Sequence, residues 1–209
     1  MSDDTVDQAL TRLPRSGPVR APNHRVFARR TSQDTDGDVS RVLGKLEATG
    51  QNYTVLQVLA NASVLFRPFV LLSDALNNHS VIPPNVREAV ILLMAARGEV
   101  QYEWAEHVPM AREAGLTDSQ IAALAEGSSP PSHLFSAAQL GALALTEELS
   151  RGAGVAADTW QRVSAEWGEA GALELIAIVG WWGGFVQTML DALGLIYPDD
   201  GRPGRRPRS

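Results

Sequence analysis

The chain contains no cysteine. That excludes disulfides, thiolate metal sites and thiol nucleophiles, while leaving the compartment open. Long apolar runs are also scarce. The longest, residues 172–184, is interrupted by Glu174 and by glycines, so it falls short of the roughly 20 residues a membrane helix needs. Positive charge is in deficit, with a formal net charge of −6, and a nucleic-acid partner is not expected for the body of the chain. Four arginines (Arg202, Arg205, Arg206, Arg208) sit in the last eight residues. The rest is therefore more acidic than the total suggests. The first twenty residues lack the apolar core of a signal peptide. A cytoplasmic protein without a membrane partner is the expectation.

Sustained period-two alternation is missing as well, and helical periodicity takes its place. Residues 1–37, with prolines at 14, 18 and 22, read as a partly disordered arm. Residues 38–197 read as one all-α domain, and 198–209 as a basic, Pro/Gly-rich disordered tail. Val39, Val42, Leu43 and Leu46 recur at helical spacing and stop near Gly50. Asn61 or Ser63 is expected to cap a helix carrying Phe66 and Phe69. Pro83 and Pro84 open a helix over about 85–97, since proline suits a first turn. Gly98 breaks it, and a second helix runs to about residue 114, with Gly115 as a left-handed cap. Thr117 and Gln120 read as a capping box. Further helices are expected over 137–151, 157–167 and 170–193.

The stretch REAVILLMAARGEVQYEWAEH holds the residues that could do chemistry. Glu103 and His107 are four apart, so they share one helix face. A carboxylate there can accept from the imidazole N–H and fix its tautomer. Glu88 lies one helix earlier, and a tight antiparallel connection could bring it to His107. Glu88, Glu103 and His107 thus suggest a proton relay in which one carboxylate orients and the other exchanges protons. Pro109 is expected to kink the second helix and free the Ala105 carbonyl. The opposing reading is that Glu103, Glu106 and His107 are solvated groups on an amphipathic helix. No metal is expected, because the di-iron helical signature spaces Glu and His by three and the zinc-protease pattern needs two histidines on one helix. Trp181 and Trp182 would point about 100° apart on an α-helix, so one of them could line a ligand pocket or a subunit contact; the opposing reading is that both fill a core or an interface. Tyr102, Trp104, Arg87 and Arg97 complete the expected substrate-binding set.

The segments REAVILLMAARG and YEWAEHVPMAREAGLTDSQIAAL, followed by ALALTEELSRG and ELIAIVGWWGGFVQTMLDALGL, resemble the carboxymuconolactone decarboxylase family, which includes alkylhydroperoxidase D. The resemblance runs over roughly residues 50–195. It implies the alkylhydroperoxidase D-like all-α fold and a homo-oligomer, whether dimer, trimer or hexamer. The peroxidase branch uses a relay glutamate, two cysteines and a histidine. The matching positions here are Glu88, Val100, Glu103 and His107, so both thiols are missing and thiol peroxidase activity is excluded on chemical grounds. The decarboxylase branch implies a cofactor-free carboxy-lyase or isomerase of aromatic catabolism. His107 would be its general acid, tuned by Glu103 and Glu88, acting on a small-molecule lactone or oxo-acid. A non-catalytic oligomeric binding or scaffold protein on the same fold is the alternative.

Overall fold

The computed structural model describes residues 27–51, 53–127, 130–152, 154–193 and 195. The basic tail and residues 1–26 of the expected arm lie outside them. Among the described residues the fold is all-α, with no strand. The helices are α1 (Gly37–Ala48), α2 (Thr54–Leu59), α3 (Ser63–Asp74), α4 (Pro84–Arg97), α5 (Gln101–Glu113), α6 (Asp118–Ala125), α7 (Ala137–Ser150), α8 (Ala157–Gly180) and α9 (Gln187–Leu193). Two stretches of wider π-helical turn, Ala75–His79 and Trp181–Val186, extend α3 and join α8 to α9.

Helix α4 is the axis of the fold. Residues 86–95 are all buried, and α5, α6, α7, α8 and the second π-helical stretch pack around it. Its sequence, VREAVILLMA, has no polar stripe to place against water. One side (Val86, Val90, Ile91, Met94) meets Leu145 of α7 and Leu175 and Ile178 of α8. The opposite side (Ala89, Leu92, Leu93) meets Trp104, Val108, Ile121 and Leu124. Ile91, Leu92 and Leu93 are wholly buried, each contributing about 1.5–3 kcal/mol of hydrophobic stabilisation. A third cluster joins α1, α2 and α3 to Tyr102, Val186 and Leu190.

Helix ends follow local chemistry. Thr117 Oγ1 accepts the Gln120 N–H at 3.2 Å, and Gln120 Oε1 accepts the Thr117 N–H at 2.9 Å. Ser136 and Gln139 form a second capping box. Gly115 takes φ +96° after α5, and the Leu116 N–H reaches back to the Ala111 carbonyl at 2.9 Å. At the end of α4 the left-handed residue is Glu99, at φ +53°. Gly98 keeps helical dihedrals, but an added Cβ there would lie 2.4 Å from Gln187 Oε1. Gly98 is thus a site of close approach between α4 and α9.

One expectation needs correction. Neither Asn61 nor Ser63 caps α3. Its N-cap is Ala62, and the Asn61 amide donates instead to the carbonyls of Ala28 and Val58. The last part of the expected arm is held: Arg30 N–H donates to the Gln57 carbonyl at 3.0 Å, and Ser32 N–H to Glu47 Oε1 at 2.9 Å. Helix α5 runs through Pro109 to Glu113 without a break.

The helical path 157–193 is long and apolar enough, by length and composition, to cross a membrane. Separate apolar runs in the sequence do not reveal it, because the second π-helical stretch joins α8 to α9. Gly168 takes φ +69° and kinks the path at the break expected between residues 167 and 170. One side of the path is core: Leu175, Ile178, Val179 and Trp182 pack against α4. A buried core helix passes the same test of length and composition.

The start of α8 borrows its cap from α7. Glu148 accepts the Ala156 N–H at 2.7 Å and the Thr159 hydroxyl at 2.8 Å. These bonds, the backbone one first, hold its carboxyl below the ordinary range. A folded-state pKa below the unfolded value gives stability that is present above the unfolded pKa and lost as pH falls through the folded one. Glu148→Gln is expected to lower the melting temperature at neutral pH, and the gap to wild type should close in acid. Thermal melts at neutral and acidic pH read this directly, and a gap that persists undiminished in acid would contradict it.

Candidate active site

The α4–α5 hairpin builds the site. Its connection is only Gly98–Val100, so the two helices run antiparallel. That geometry brings Glu88, about three turns before the bend, level with His107, about two turns after it. His107 Nδ1 and Glu88 Oε2 are 2.8 Å apart. The side chains are 12% and 2% exposed, so the pair is shielded from competing water. With Glu88 ionised, Nδ1–H is the donor, and Nε2 is the nitrogen left to exchange a proton. The second Glu88 oxygen lies 3.4 Å from Arg87 Nε, a cation that offsets the buried negative charge.

These groups line a cavity of about 680 Å³. Arg87 and Glu88 come from α4, and Tyr102, Glu103, Glu106, His107 and Met110 from α5. Phe69, Asn77 and Asn78 come from α3 and its π-helical extension, and Trp181 and Trp182 from the second π-helical stretch. The Trp182 ring stands edge-on to the His107 ring, with centroids 6.1 Å apart and planes at 88°. Trp181 stacks on Phe185 at 5.1 Å and lies tilted against Phe69 at 4.7 Å. Both tryptophans therefore face one cavity. The expectation that they diverge rests on α-helical geometry, whereas residues 181–186 form the wider π-helical turn. Such turns frequently mark functional sites. Gly183 makes this approach possible, because an added Cβ would sit 1.4 Å from Met94 Cε of α4.

Glu103 behaves differently from Glu88. It is 2% exposed, and neither carboxyl oxygen has a hydrogen-bond partner. Burial pushes its pKa well above the ordinary carboxylate range, opposed only by the nearby Gln187 amide. The neutral acid is thereby the favoured form. It is Glu88, not Glu103, that bonds to His107. Two residues four apart in a helix share a face, but the crossing partner decides which one it meets, and α4 presents Glu88 to His107. Tyr102 is buried too. Desolvation first, and Glu106 second, push its phenol upward, so it is a neutral hydroxyl.

Two expected substrate-binding residues lie elsewhere. Trp104 is wholly buried in the core with Leu92, Leu93 and Leu124, because its side of α5 faces α4 and α6. Arg97 stands at the far end of α4, 3.7 Å from Glu147 of α7, in an ion-pair group that Arg151 completes at 3.2 Å. Phe69 and Met110 of the cavity wall, and Gln187 beside Glu103, were not anticipated. Gln187 had a visible signal, being the lone amide in the apolar run FVQTML. Phe69 and Met110 had none, since core and cavity residues share one composition. Among the described residues no cluster of three potential metal ligands occurs.

No curated protein and no solved structure gives a significant match to the chain. Residues 65–148 match the family model described as the carboxymuconolactone decarboxylase family. That stretch spans α3 to α7 and carries Arg87, Glu88, Glu103 and His107. Over that stretch the chain is similar to the carboxymuconolactone decarboxylase family.

Proposed function

We propose that the cavity performs cofactor-free proton transfer on a lactone or related oxo-acid, as a lyase of the carboxymuconolactone decarboxylase type. The observation that carries this reading is the 2.8 Å His107–Glu88 bond on the cavity wall. Loss of carbon dioxide from such a substrate leaves an enolate-like carbon that must gain a proton. The imidazole, oriented by the Glu88 carboxylate through Nδ1–H, can take a proton from solvent at Nε2 and deliver it from there to that carbon. Arg87 supplies the positive charge an anionic substrate needs, and the tryptophan wall takes its apolar part. Incubation with lactone carboxylates, with carbon dioxide release measured against substrate consumed, tests the reaction. A one-to-one ratio is expected. Consumption without carbon dioxide release would point to isomerisation.

The second reading is a non-catalytic binding or scaffold protein. The aromatic wall favours it, since Trp181, Trp182 and Phe69 can hold a ligand without any chemistry. In that case wild type would bind such compounds and return them unchanged.

We further propose a cytoplasmic homo-oligomer. Val64, Leu65, Leu71 and Leu72 expose the outer face of α3 at 43–83%, an apolar stripe that association would cover. Sedimentation at micromolar concentration should show a species larger than 22.5 kDa, whereas a clean monomer would defeat this.

A further inference from the structure

Glu103 is the one buried carboxyl of the cavity that the proton-transfer scheme leaves idle. Both its oxygens are unpartnered, and so is Gln187 Nε2 beside it. A buried polar group without a partner costs on the order of 1–3 kcal/mol, so a carboxyl left so on a cavity wall, with the orphaned amide behind it, calls for a reason. A hydrogen-bonding ligand provides one. We infer that the Glu103 carboxyl donates a hydrogen bond to the ligand, binding a carbonyl, carboxylate or enolate oxygen that enters the cavity. The inference rests on the same cavity as the proposed function and adds to it the polar end of the substrate.

The two carboxyls then divide the work by environment. Glu88 has Arg87 and His107 against it and serves as an acceptor. Glu103 has only an amide near it, in an apolar setting, and serves as a donor. Two acids in unlike environments within one site are a recurrent device for dividing donor and acceptor roles. Glu103 donates here without ionising, so it stabilises charge that builds on the ligand oxygen. The ligand implied is an apolar or aromatic body, seated on Trp181 and Trp182, with an oxygen-bearing end turned towards Glu103. The other ionisable groups on the cavity wall are Arg87, Glu88, Tyr102, Glu106 and His107, with Tyr53, Asp74 and Glu113 also lining it.

Benzoate carries both features and is the probe. Its binding is followed by the fluorescence of the protein's tryptophans, for wild type, Glu103→Gln and Glu103→Leu. Wild type should bind it at neutral pH. Glu103→Leu should bind about tenfold more weakly, the loss of one strong hydrogen bond. Glu103→Gln, whose amide still donates, should lose no more than about threefold. Affinity should fall for wild type as alkaline pH ionises Glu103, with a shallower fall in Glu103→Gln. Infrared spectra at neutral pH should show a protonated carboxyl band that Glu103→Gln removes. Failure of wild type to bind, equal affinity in Glu103→Leu, or absence of that band overturns the inference. A protein that binds benzoate in this pattern yet turns over no lactone would defeat the lyase reading alone. Lactone turnover with indifferent benzoate affinities would defeat the Glu103 assignment alone.

Discussion

Replacing His107 with alanine is expected to lower turnover of the lactone substrate by at least about a hundredfold, within the roughly 10²–10⁴ that a positioned proton-transfer group supplies. The change should fall on kcat more than on KM, because Arg87 and the tryptophan wall that hold the substrate are untouched. Glu88→Gln probes the same step from one residue further away. It preserves shape and leaves a carbonyl that can accept the Nδ1–H, but removes the charge that stabilises the imidazolium. It should therefore lower kcat while leaving benzoate affinity near that of wild type. Glu88 acts through His107 and not on the substrate, so the double variant should be little worse than His107→Ala alone. Independent, multiplying losses would contradict the dyad. Unchanged turnover in His107→Ala would remove it altogether.

The second large effect is on stability. Trp104→Ala is expected to cost about 3–5 kcal/mol, the usual loss on truncating a buried tryptophan. A domain of this kind holds about 5–15 kcal/mol in total. The melting temperature should drop by on the order of 10 °C. The cause is location: Trp104 is wholly enclosed between α4 and α6, so truncation opens a void that no solvent or ligand fills. Trp104→Phe refills most of that space and should regain much of the loss. Benzoate affinity in the Phe variant should match wild type, since the ring does not border the cavity. A folded Trp104→Phe protein that had lost the ligand would return this residue to the binding site.

Much of the fold was legible because helix ends are written in short-range chemistry. Thr117 with Gln120, Gly115 after α5 and the break near Gly168 are each decided by a few neighbouring residues. The α3 cap was misread for the same local reason. Asn61 has the right chemistry, but its amide is taken by the carbonyls of Ala28 and Val58, and such tertiary competition leaves no mark in the sequence. The site was half legible. Glu88 and His107 could be paired because a three-residue connection leaves two helices little choice but to lie antiparallel. Which face of α5 met α4 could not be read, because α4 is buried all round and carries no stripe to fix its rotation. Trp104 and Arg97 were misplaced on that account. Trp181 and Trp182 were half read, since the turn that aligns them is wider than an α-helix and depends on Gly183 passing against Met94.

The wall proposed for acid–base work and the aromatic wall proposed to hold the ligand come from different stretches of chain. Arg87, Glu88, Glu103 and His107 lie inside the 65–148 matched segment; Trp181 and Trp182 follow some thirty-odd residues after it ends. Selectivity can thus drift by changes around residues 181–187 while the reactive groups stay fixed. A chimera given the C-terminal helices of another protein that matches the same family model would inherit a new appetite and keep the old chemistry.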